Sequence, residues 1–197
     1  MTAPPPAAGC ISAALLLARW WSRPTDEEVD GWSALWSAAY ETTSALGLDG
    51  ENVAMLEVAL EESQRETLLD EYERLLVGPG RPPCAPYESL WRADLSASEQ
   101  GTLMGPAADA VALLYRDLGL EVCTANGHEL PDHLLGEWEA LAYALEHGVA
   151  GTADELLRGH LDRWMAPFCH AVAVETDQPF YATLSTLTPA WTAALVT

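Results

Sequence analysis

The stretch Leu134-Leu135-Gly136-Glu137-Trp138-Glu139-Ala140-Leu141-Ala142-Tyr143-Ala144-Leu145 sets Leu134, Trp138, Leu141 and Leu145 on one stripe. Steps of four, three and four residues follow the turn of an α-helix. The same period recurs on both sides of it. Thr25 and Glu28 form a capping box ahead of Val29, Trp32, Trp36 and Tyr40. Asp49 caps a run carrying Val53, Leu56 and Leu60, and a further run carries Leu68, Tyr72 and Leu75 before Gly78-Pro79-Gly80. Ser96 with Glu99 reads as another capping box. Pro106 suits a first helical turn, and Val111, Leu114, Tyr115 and Leu118 face the core until Gly119 stops the helix. Thr152 with Glu155 repeats the box before Leu157, Leu161 and Trp164. Pro179 opens a last segment with Phe180, Leu184, Leu187 and Trp191, kinked or divided at Pro189. No period-two stretch of strand length flanked by hairpin turns occurs. The pattern predicts an all-α, single-domain bundle of roughly ten helices over 1–197, with 1–8 frayed.

Composition narrows the function. A chain of 197 residues buries roughly 70% of the surface it exposes when unfolded, so it needs no metal or disulfide to fold. Thirty Asp and Glu stand against nine basic residues, all of them Arg, for a net charge of −21. Such a surface repels nucleic acid and anionic lipid, which are bound through basic patches. It favours basic partners or reflects an acidifying habitat, and composition leaves both open. The four cysteines, Cys10, Cys84, Cys123 and Cys169, lack CxxC spacing and read as bystander thiols in a reducing cytoplasm. Ala7-Ala8-Gly9-Cys10 resembles a lipoprotein box, but no basic start or apolar stretch precedes it, and Arg19 interrupts the apolar run that follows. The expectation is a cytoplasmic protein without membrane insertion.

Two segments break the helical pattern: Gly78 to Glu88, rich in proline, and Cys123 to Asp132. Such loops on a rigid scaffold tend to carry function. No nucleophile elbow, phosphate loop or dinucleotide fingerprint is present. His128-Glu129-Leu130-Pro131-Asp132-His133 fails as a zinc helix, because its histidines stand five apart around Pro131. His133 and Glu137 stand four apart at a helix start. They read either as a terminal pair, with Asp132 as cap and Glu137 toward solvent, or as part of a groove in which Asp132 and His133 meet a partner. Tyr87 and Trp91, flanking Glu88, suit core packing or a peptide-binding groove, and eight Trp against two Phe is a skewed aromatic set.

These residues carry a resemblance. Glu71-Tyr72-Glu73-Arg74-Leu75-Leu76-Val77-Gly78-Pro79-Gly80, followed by Pro86-Tyr87-Glu88-Ser89-Leu90-Trp91, resembles the first hallmark of the TorD/DmsD/NarJ family of redox-enzyme maturation chaperones. Leu130-Pro131-Asp132-His133 with Glu137, Glu139, Leu141 and Ala142 resembles the second. The opening helix, Met104-Gly105-Pro106, Tyr115-Arg116 and Phe180-Tyr181 are similar to the family pattern as well. Leu76, Ala85 and Ala140 depart from it through apolar exchanges that bear on subfamily.

The resemblance implies a cytoplasmic, non-enzymatic chaperone for the catalytic subunit of a molybdoenzyme. It binds the client's N-terminal leader, often a twin-arginine signal, until molybdopterin and iron–sulfur clusters are inserted. The client carries that cofactor, and the chaperone itself needs none; no phosphate-cradling loop favours nucleotide binding. Tyr87, Glu88 and Trp91 from the first motif and Pro131, Asp132, His133 and Glu137 from the second are the expected peptide-binding residues, in a monomer or homodimer. Two alternatives stay open: an all-α enzyme using the His133/Glu137 region for metal or acid–base chemistry, and an assembly subunit retained in the mature complex. A single binding site requires segments 78–88 and 123–132 to meet in space.

Overall fold

A computed structural model describes residues 7–96, 99–122 and 130–197. Its α-helical segments are α1 (Ala7–Trp20), α2 (Asp26–Trp32), α3 (Trp36–Ala45), α4 (Glu51–Glu62), α5 (Arg65–Tyr72), α6 (Pro106–Leu118), α7 (Leu134–Glu146), α8 (Ala150–Asp154), α9 (Asp162–Glu175) and α10 (Pro179–Val196). Among the described residues there is no strand, and the ten segments run together into eight continuous helices. A 3₁₀ turn, Ser33–Leu35, joins α2 to α3, and a π-helical stretch, Glu73–Val77, finishes α5. A second π stretch, Glu155–Leu161, joins α8 to α9. The chain is all-α, as its periodicity predicts.

Burial follows the stripes closely. Leu134, Trp138 and Leu141 of α7 are buried, as are Val53, Leu56 and Leu60 of α4 and Leu68, Tyr72 and Leu75 around α5. α1 packs most extensively on α7 and also meets α3 and α10, while α10 lies against α9 and α4. Buried alanines on the partners, Ala13 and Ala14 in α1 and Ala140 and Ala144 in α7, let helix backbones approach closely. Trp20, Trp21, Trp32, Trp138, Trp164 and Trp191 are fully buried, so the skewed aromatic set chiefly fills the core. Trp32 stacks on Phe180 at 5.2 Å, and Trp20 meets Trp36 at 5.6 Å and Trp191 at 5.8 Å. Such ring pairs are worth about 0.5–1.5 kcal/mol beyond their burial.

Three local expectations are corrected, and one of two alternatives is removed. Tyr40 is exposed and donates to Glu57 at 2.9 Å instead of facing the core. The 3₁₀ turn before it winds by about 120° per residue, not 100°, and rotates the stripe so that Ala39, Thr42 and Thr43 turn inward. Ser96 and Glu99 do form a box, with Ser96 N donating to the Glu99 carboxylate at 3.2 Å. It closes a turn, and the next helix among the described residues begins at Pro106. Thr152 lies inside α8, whose N-cap is Val149. Of the two outcomes expected at Pro189, a kink or a division, division does not occur, and α10 runs unbroken from Pro179 to Val196. Phe180, Leu184, Leu187 and Trp191 are all buried, and each contributes roughly 1.5–3 kcal/mol by burial, against about 3 kcal/mol lost to an interior proline.

Candidate functional site

The first motif begins at the end of α5 and takes in the π stretch that finishes it. Gly78 takes φ 90°, a left-handed conformation open to glycine, and its N–H donates to the Glu73 carbonyl at 2.6 Å. The proline-rich segment is then pinned: Cys84 is buried and its N–H donates to the Leu75 carbonyl at 2.9 Å. Pro86 sits in a tight turn closed by the Tyr87 N–H donating to the Ala85 carbonyl at 3.0 Å, and Tyr87 is extended ahead of a 3₁₀ turn, Glu88–Leu90. The second motif runs into α7, with Pro131 stiffening the approach.

The two motifs join edge to edge. Tyr87 and His133 form an antiparallel bridge, an element no helical period announces. The Glu88 N–H donates to the Asp132 carbonyl and the Leu134 N–H to the Pro86 carbonyl, both at 2.9 Å. The Tyr87 and His133 rings meet edge to face at 5.2 Å. Segment 78–88 thus touches residues 130–134, while residues 123–129 lie outside the described residues.

Asp132 does not cap its own helix. Its Oδ2 accepts the Ser89 N–H at 3.0 Å and so caps the 3₁₀ turn of the other motif. His133 takes the N-cap of α7, its Nδ1 accepting the Leu135 N–H at 3.2 Å. Burial lowers the His133 pKa to about 4, which matches an imidazole whose Nδ1 is an acceptor. Its proton is then assigned to Nε2.

Glu88, Asp132 and Glu137 are all fully buried behind this bridge. The Glu88 carboxylate accepts from Arg92 Nη1 at 2.5 Å, and its other oxygen meets His160 Nδ1 at 2.8 Å. Glu137 lies inward, not toward solvent, and accepts the Trp164 indole N–H at 3.2 Å. Its pKa is pushed well up, first by burial and then by the Glu88 charge, although the Trp164 hydrogen bond opposes the shift. His133 and Glu137 therefore serve different neighbours and do not form a pair. Trp91 is half-buried; its ring meets Phe168 at 5.7 Å and its N–H donates to the Ala85 carbonyl at 2.8 Å.

Two concavities flank the bridge. A groove of about 1180 Å³ is lined by Tyr87, His133, Leu135, Leu76, Leu90 and the exposed Val77 and Leu103, with Arg23, Glu73 and Arg81 among its charged residues. A cavity of about 410 Å³ lies on the other side, lined by Pro131, Tyr115, Leu120 and Tyr143, with Glu121 and Glu139. His133 and Leu135 line both and form the ridge between them. Of the expected site residues, Tyr87, Pro131 and His133 reach these surfaces, while the three carboxylates and Trp91 support them from behind. Sequence reasoning missed Val77, Leu103 and Leu135. Val77 carried a readable signal, being an apolar residue off the Leu68/Tyr72/Leu75 stripe.

Comparison with known proteins gives this arrangement a family. The family described as nitrate reductase delta subunit matches residues 47–170. A Tat proofreading chaperone, DmsD, of Salmonella paratyphi A is 26% identical over 158 residues, covering 80% of this chain and 70% of that protein. Its Salmonella typhi counterpart is 25% identical over the same shares. A crystal structure described as a redox enzyme maturation protein of Archaeoglobus fulgidus shares the fold, with a TM-score of 0.63 at 22% identity over 91% of both chains. With more than half its length inside the family match and both motifs joined at one site, the chain belongs to the nitrate reductase delta subunit family, the TorD/DmsD/NarJ group.

Proposed function

We propose that this redox-enzyme maturation chaperone binds the N-terminal leader of a molybdoenzyme catalytic subunit in the groove beside the Tyr87–His133 bridge. One observation carries the reading: the two family motifs, far apart in sequence, meet as one wall of a large, mainly apolar groove. The apolar stretch of a leader lies against Tyr87, Leu135, Val77 and Leu103. Its basic residues meet surface carboxylates such as Glu121 and Glu139 across the ridge. Glu88, Asp132 and Glu137, being buried, shape the wall and do not touch the client. In this reading the protein works in the cytoplasm, takes no cofactor itself, and retains the client until molybdopterin and iron–sulfur clusters are in place. No helix among the described residues is long and apolar enough to cross a membrane.

Leu135→Asp tests the groove, with binding compared per folded molecule because Leu135 is half-buried and also packs against the core. The residue lies in the first turn of α7, where an acid is favoured by the helix dipole. A synthetic peptide with paired arginines and an apolar stretch is expected to lose roughly ten- to a hundredfold in affinity by calorimetry, the equivalent of one buried apolar side chain. Undiminished binding to Leu135→Asp places the leader elsewhere.

A further inference from the structure

We propose that His160, which lies in neither motif, is a positioning residue of the groove. With Arg92 it holds the buried Glu88 carboxylate and thereby fixes Tyr87 against His133. The relevance to binding rests on the leader-groove reading above; the positioning itself rests on geometry alone.

His160 owes its place to an irregularity of winding. In the π stretch Glu155–Leu161, Leu156 and Leu161 stand five residues apart, yet both are fully buried, while Leu157 is only partly so. A π turn holds more residues than an α turn, so it shifts the inward face by one position. That shift leaves His160 4% exposed, facing the first motif from a rod that belongs to another part of the chain. Two successive residues then grip the motif. The Gly159 carbonyl accepts Arg92 Nη1 at 2.9 Å, and His160 Nδ1 meets Glu88 Oε2 at 2.8 Å. Arg92 Nη1 closes the triangle on Glu88 Oε1 at 2.5 Å.

Both oxygens of Glu88 are thus engaged where no water reaches them. A buried carboxylate that loses one partner must move or find another. Glu88 has little room for either, because its own N–H is tied to Asp132 and the next N–H, of Ser89, to the Asp132 carboxylate. Tyr87 precedes it directly, so the carboxylate anchors the residue that forms the groove wall. A π turn set into an otherwise regular helix costs hydrogen-bond geometry, and here its product is this contact.

The test uses His160→Leu, which removes the ring nitrogens, and His160→Asn, whose amide stands where Nδ1 does and can still donate to Glu88. Amide exchange read by NMR follows the Glu88 and Ser89 N–H groups, and calorimetry follows the paired-arginine apolar peptide. In His160→Leu these two amides are expected to exchange at least tenfold faster, the edge-to-face contact of Tyr87 with the His133 ring protons is lost, and peptide affinity falls tenfold or more. Exchange in α4, remote from the site, stays unchanged, and His160→Asn returns both readouts to within threefold of the parent. Unchanged exchange at Glu88 and Ser89, or a uniform rise throughout the molecule, overturns the positioning role. If His160→Leu does not fold, His160→Phe, which keeps a ring but no nitrogen, is read in the same way. A parent protein that ignores the peptide defeats the leader-groove reading, while the exchange data still decide the role of His160.

Discussion

At the scale of single residues, the site is governed by where its ionisable groups lie. His133 and Glu137 are shifted in opposite directions by the same cause, since burial disfavours the charged form of each. For His133 the folded pKa, about 4, lies below the ordinary value of 6.5. Its contribution to stability is full above pH 6.5 and is lost as pH falls toward 4. For Glu137 the folded pKa lies above the ordinary 4.5, so its contribution is full below pH 4.5 and is lost as pH rises. Between these two values the slopes oppose one another and the parent stability curve is flattened. Glu137→Gln removes one slope: its stability relative to the parent is expected to grow with pH above 4.5, by at most about 1.4 kcal/mol per unit. His133→Asn, which retains an N-cap acceptor, removes the other and is expected to gain on the parent as pH falls from 6.5. Urea denaturation from pH 4 to 8 reads both, and pH-independent differences would rule out the assigned ionisation states. None of this is legible in the sequence, where His133 and Glu137 are merely neighbours at helical spacing.

At the scale of elements, periodicity located the helices well and their windings poorly. α6 runs from Pro106 to a left-handed Gly119, and α7 carries its stripe inward, because both are regular α-helices. Departures cluster where the winding changes. The 3₁₀ turn at Ser33–Leu35 turned Tyr40 outward, and the π stretch at Glu155–Leu161 exchanged Leu157 for Leu156 and brought His160 inside. A reading based on 3.6 residues per turn carries no account of such shifts. Asp132 shows the same limit for caps: its side chain serves a turn remote in sequence. Asp132→Ala leaves the buried Ser89 N–H without that acceptor, at an expected cost of about 1–3 kcal/mol. Asp132→Asn, which keeps an acceptor, should recover most of it. Chemical denaturation of the two variants decides the matter, and equal losses would show that charge, not the hydrogen bond, is what Asp132 supplies.

At the scale of the whole molecule, in the proposed leader-groove reading a net charge of −21 and an apolar groove divide the work of binding. Glu88, Asp132 and Glu137 are buried and therefore unavailable to a leader's arginines. Attraction comes from surface charge, which is screened beyond about 8 Å at physiological salt. Exposed ion pairs add only about 0–1 kcal/mol each, whereas a buried apolar side chain contributes roughly 1.5–3 kcal/mol. Raising salt is therefore expected to slow leader association markedly while leaving dissociation nearly constant. Replacing the leader's apolar residues with serine should instead speed dissociation. Stopped-flow kinetics separate the two rates, and dissociation that climbs steeply with salt would mean that carboxylates hold the client directly.

The all-α class, the stripes of the core and the two motifs are properties of the sequence itself, because helical period, caps and breakers act within a few residues. The loop-to-helix junction of each motif was legible for the same reason. What only the tertiary structure decided is how the motifs are joined. The Tyr87–His133 bridge, the Glu88–Arg92–His160 contacts and the burial of three carboxylates all join residues from separate helices and turns. A local pattern states which face of a helix is apolar. Which polar group is drawn in behind that face depends on the partner it finds there, and that partner lies elsewhere in the chain.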